Sequence, residues 1–76
     1  MNYDLAMMAL EGLSRSPLRV SSSGGEVTIE GTAASFKELA RLCLLLGGEG
    51  VAADEEVALS GGMHLEGQAS LRLRRR

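Results

Sequence analysis

The side chains in this 76-residue chain that could do chemistry are few and scattered. There is one histidine, His64, and one cysteine, Cys43. A structural zinc site takes about four ligands of the Cys/His kind. The chain supplies two, on different expected elements, so no metal is expected. Cys43 shares a helical spacing with Phe36, Leu39, Ala40 and Leu46, which reads as a core stripe, and a thiol buried there is inert. His64 sits between Met63 and Leu65 and reads as an outward, solvated residue of an alternating strand. The glycine clusters Gly24-Gly25, Gly47-Gly48-Gly50 and Gly61-Gly62 lack phosphate-loop spacing and a following Lys-Ser or Lys-Thr, so they read as turns. Asp54, Glu55 and Glu56 form an acidic cluster without EF-hand spacing. It reads as a solvated loop. No catalytic constellation emerges, so neither an enzyme nor a cofactor is expected.

The basic residues concentrate at the end, at Arg72, Arg74, Arg75 and Arg76. Such a run can touch nucleic-acid phosphates. Against that, the net charge is −2 and aromatic residues are 3% of the chain, Tyr3 and Phe36 alone. A charged, solubilising terminus is the expectation, and a nucleic-acid accessory role is an alternative. The candidate polar contact surface is therefore Asp54, Glu55, Glu56, His64, Arg72 and Arg74.

The elements that must carry these residues are two helices and several short strands. Asn2 to Arg15 reads as a first helix, capped by Asn2 or Asp4. Asp4, Glu11 and Arg15 share one stripe, and nearly everything else is apolar, which is more than one side of a small domain can cover. Pro17 ends the region. Leu18 to Glu30 reads as a hairpin around Ser23-Gly24-Gly25. Val20 is expected opposite Val27, which requires an even loop such as Ser23-Gly24 or residues 22–25.

Ser35 to Leu46 reads as the central helix, capped by Ser35 with Glu38 three residues on and stopped by Gly47-Gly48. Lys37, Glu38 and Arg41 face out. Leu42, Leu44 and Leu45 make its last turn apolar all round. Either Val51, Ala52 and Ala53 fold back over that turn, or a second subunit covers it. Three strands follow as a meander, with Val57, Leu59, Met63, Leu65, Ala69, Leu71 and Leu73 inward and three-residue loops between. The fold class expected is α+β, one domain over residues 1–76. Its first part is a helix within residues 1–16. Residues 17–76 form an antiparallel sheet of about five strands, with both helices on one face, in the order α-β-β-α-β-β-β.

A chain this short buries only roughly 60% of its unfolded surface, and a lone cysteine gives no internal disulfide. Oligomerisation adds the missing burial. A homodimer is expected, with Tyr3, Met7, Met8, Leu42 and Leu45 as the partner or oligomer interface. Open-ended self-assembly into a structural subunit is another alternative. The start lacks a basic segment, with Asp4 where a secretory leader would be positive. No apolar run approaches the ~18 residues of a membrane span. A cytoplasmic location without membrane contact is expected.

The run Val27-Thr28-Ile29-Glu30-Gly31-Thr32, then Phe36 to Leu42, then Met63-His64-Leu65, then Ser70-Leu71-Arg72-Leu73, resembles a family of small bacterial immunity proteins of polymorphic-toxin systems, immunity protein thirty-two. The resemblance covers roughly Val27 to Leu73. It implies a non-catalytic protein that neutralises a cognate protein toxin by binding it.

Overall fold

The computed structural model describes all 76 residues. The first helix, α1 (Tyr3–Arg15), starts where the sequence allows. Asn2 caps it, its side-chain oxygen accepting from the Leu5 N–H at 3.1 Å. Asp4 lies in the first turn and Arg15 in the last, each suiting the helix dipole. Its inner face is Ala6, Ala9 and Leu13. Small residues there let the second helix approach closely. At Gly12 a Cβ would run into the Glu38 carboxyl, which would have to swing aside.

Strands β1 (Arg19–Ser23) and β2 (Glu26–Glu30) form an antiparallel hairpin. The loop is even, as parity demands, and consists of Gly24-Gly25. Both have positive φ, 58° and 83°, which side chains resist and two-residue hairpin turns require. The pairing differs from the expected one: Val20 opposes Ile29, and Val27 opposes Ser22. Val20 and Ile29 are half-buried, whereas Val27 is exposed, because the tip of the hairpin overhangs the core.

The central helix, α2 (Ala33–Leu46), begins earlier than Ser35. Thr32 is the cap and Ser35 completes a capping box with it; Glu38 takes no part. Starting there lets Ser35 turn inward, where it is fully buried and its hydroxyl donates to the Ser16 carbonyl at 2.7 Å. The buried face is then Ser35, Leu42 and Leu46, with Leu39 and Leu45 half-buried. The expected stripe is rotated by about one residue, or ~100°. Phe36, Ala40 and Cys43 are on the surface. The rotation replaces Phe36, Ala40 and Cys43 by Ser35, Leu42 and Leu45 on the inner face.

The expected five-stranded sheet does not form. There are four strands in two separate two-stranded antiparallel sheets, β1–β2 and β3–β4. Strands β3 (Glu56–Leu59) and β4 (Leu71–Arg74) pair directly, with Val57 opposite Leu73 and Leu59 opposite Leu71. The segment read as a middle strand, Met63 to Leu65, lies instead in a loop that satisfies its own backbone. The Ser60 carbonyl accepts from Met63, His64 and Leu65 at 3.2, 3.0 and 3.1 Å, and the Leu65 carbonyl accepts from Gly62 at 2.8 Å. Gly62 and Gly67 take φ of 76° each. Backbone groups used locally are not free for a ladder. Leu65 is buried as expected, but Met63 is exposed and His64 is buried.

The loop joins the two halves. The Leu18 N–H donates to the His64 carbonyl at 3.1 Å, and the Glu66 N–H donates to the Leu18 carbonyl at 2.8 Å. Leu18 and Leu65 thus sit fully buried in the core with Ala6, Ala9, Leu13, Leu42, Val57 and Leu59. No helix is long and apolar enough to cross a membrane.

Candidate protein-contact surface

Helices α1 and α2 run antiparallel, Leu5 and Met8 lying near Leu44, Leu45 and Arg41, and Gly12 near Glu38. Their inner faces close on the core. Between their outer shoulders a groove of about 320 Å³ remains, lined by Leu5, Met8, Ala9, Arg41, Leu44 and Leu45. Leu44 is 76% exposed and Met8 60%. Val51 is half-buried and Ala52 and Ala53 are exposed, so the fold-back weighed for that segment leaves Leu44 uncovered. An exposed leucine alone needs no account, but a cluster along one groove marks a contact surface.

The residues expected at an interface divide. Met8 and Leu45 line the groove. Leu42 has no surface to offer, being fully buried in the chain's own core. Tyr3 and Met7 are exposed but lie outside the groove. Met7 is about 100° round the helix from Met8. The Tyr3 hydroxyl donates to Glu55 Oε1, which ties the start of α1 to the approach to β3. That hydrogen bond, with the charge of Glu55, raises the Tyr3 pKa above 10.0. Leu5 and Leu44 belong to the groove but are not in the interface set expected from the sequence, although Leu44 is part of the last turn read there as apolar all round. Assigning Leu44 to the groove required the position of α1.

Of the polar candidates, Asp54, Glu55, Glu56, Arg72 and Arg74 gather at β3–β4, and His64 stands apart. Glu56 lies between Arg72 and Arg74 across the β3–β4 pair, at 3.7 and 3.0 Å. Glu55 is held by Tyr3, and Asp54 adopts φ 70° while its N–H donates to the Arg75 carbonyl at 2.8 Å. His64 is on the far loop, where its Nδ1 accepts from the Ser60 N–H at 3.1 Å. The solvated reading of His64 is corrected by its burial. Its ring satisfies a loop that would otherwise leave that N–H unpaired.

The terminal arginines are also engaged within the chain. Arg75 donates to the carbonyls of Leu46 and Gly48 at 2.9 and 3.1 Å, covering the last carbonyl of α2 and one just beyond its cap. With Arg74 on Glu56, this tail is part of the fold as well as a charged terminus. Cys43 opens onto a shallow cleft beside Arg72 and Arg76, not into the core.

No family model, curated protein or solved structure matches this chain.

Proposed function

We propose that this chain is a non-catalytic protein-binding domain whose contact surface is the groove between α1 and α2. The observation that carries this reading is the run of exposed apolar side chains at Leu5, Met8 and Leu44 around one cleft. Groove-shaped apolar surfaces between helices accept an apolar ridge from another chain. Methionine suits such a surface because its unbranched side chain adapts to the partner's shape.

The test is a photo-crosslinking residue placed at Leu44 in cells, with a control at Ser22 beside the hairpin turn. Discrete products from position 44 alone support the reading. No product at 44, or equal products at both positions, overturns it. Neutralisation of a toxin, the role implied by the resemblance to immunity proteins, is one form of such binding. It predicts that stoichiometric addition of the chain abolishes the activity of a cognate toxin.

A further inference from the structure

Charge is unevenly distributed along this chain. Residues 1–70 hold four Lys or Arg and ten Asp or Glu, a net charge of −6, whereas residues 71–76 hold four arginines and no acid. The fold gathers those four on one surface. A shallow cleft of about 450 Å³ lies between the end of α2 and β4, and Arg72, Arg74, Arg75 and Arg76 line it with no carboxylate in its walls. Glu56 is the only carboxylate within ion-pair distance of them, and it meets Arg72 and Arg74 through Nε, at 3.7 and 3.0 Å. The terminal nitrogens of both forks therefore keep their N–H donors. Arg75 is fixed through Nη1 by the Leu46 and Gly48 carbonyls, and Arg76 is exposed.

This arrangement selects a ligand. A guanidinium fork matches phosphate oxygens two at a time. The four charges are strung along β4 and its continuation, since residues two apart on a strand are separated by about 7 Å. A ligand that meets several of them must repeat its charge along a chain. Neither Tyr3 nor Phe36 lines the cleft, so it offers bases no aromatic face for stacking. Over the rest of the surface the excess of carboxylates disfavours a polyanion.

We propose that this cleft binds a chain of phosphates, without regard to base sequence. Single-stranded nucleic acid and inorganic polyphosphate both supply that chemistry. The site is separate from the groove between α1 and α2 and does not depend on the protein-binding reading.

Fluorescence anisotropy on the full chain tests it, with an end-labelled oligothymidylate and, separately, end-labelled inorganic polyphosphate, between about 20 and 100 mM salt. Binding of either supports the proposal, and the one bound names the source. If the oligonucleotide binds through about three phosphates, its log K should fall with log salt at a slope of about −2. The double variant Arg72→Gln, Arg76→Gln should weaken binding about tenfold and flatten that slope to about −0.7. Glu56→Gln should tighten binding about 2- to 5-fold by releasing Arg72 and Arg74, and serves if the double variant fails to fold. Glu26→Gln, on the other hairpin, changes the net charge equally and should leave binding unaltered.

Binding of neither probe at about 20 mM salt overturns the proposal. So does undiminished binding by the double variant, or equal tightening by Glu56→Gln and Glu26→Gln. Displacement of the bound probe by inorganic phosphate at the same phosphate concentration also overturns it, since that would mark a single-anion site.

Discussion

The two hairpins are built from the same alternation of apolar and polar residues, yet only one belongs to the core. In β3–β4, Val57 and Leu59 are buried and Leu71 and Leu73 are half-buried against them. In β1–β2, Val20 and Ile29 alone reach the core edge, and the tip projects past it. Each sheet has two strands, which is marginal in isolation, so each depends on what lies against its apolar face. For β3–β4 that is the helix pair and the buried loop residue Leu65. The β1–β2 hairpin is tied down mainly at its base, through Leu18. Alternation therefore specifies which side chains share a face; the rest of the fold decides whether that face is covered.

Core truncation should separate the hairpins most strongly. Leu59 is 1% exposed, and Leu59→Ala should cost about 2–5 kcal/mol. A chain of this length has roughly 4–11 kcal/mol in total, so the variant should lose a large share of its stability and its urea midpoint should fall steeply. Val27→Thr, on the overhanging tip, should change stability by no more than about 0.5 kcal/mol. Urea denaturation of both variants checks the contrast. Equal losses would show that the β1–β2 tip is covered.

A smaller effect distinguishes the tail residues beside β4. Arg75→Gln removes a charged donor from the Leu46 and Gly48 carbonyls and should cost about 1–2 kcal/mol. Arg76→Gln, at a position that makes no hydrogen bond or ion pair within the chain, should stay within about 0.5 kcal/mol. Similar values for the two would reduce the tail to a charged surface.

Local rules made part of this legible in the sequence. Asn2 caps α1, Gly24-Gly25 turns the first hairpin, and the odd-numbered apolar residues of β3 and β4 point inward. What escaped depends on competition between local options. Thr32 caps α2, so Ser35 lies within the helix, and packing against the core places Ser35 and Leu42 inside and Cys43 outside. The Met63–Leu65 segment has a strand's alternation, but the Ser60 carbonyl gathers its N–H groups first. The apolar surplus at Met8 and Leu45 was readable. The division of Tyr3 and Met7 from Leu5 and Leu44 was not, because it depends on where one helix lies against the other.

The least perturbing probe of β3–β4 is its link to α1 through Tyr3. Because Tyr3 is the only tyrosine, phenolate absorbance during an alkaline titration reports on this residue alone. Its hydrogen bond to Glu55, then the charge of that carboxylate, favours the neutral phenol, so the midpoint should lie above 10.0. The folded-state pKa is thereby raised above the unfolded value. The linked stabilisation is fully present below pH 10.0 and is lost as pH rises through the higher folded value. Tyr3 is exposed, so solvent screens the interaction and its effect on overall stability should be the smallest of these. Glu55→Gln removes the negative charge while keeping an acceptor, and should bring the midpoint down towards 10.0. An unchanged midpoint would mean that the start of α1 moves independently of the buried hairpin, and that β3–β4 is held by apolar packing without this polar tether.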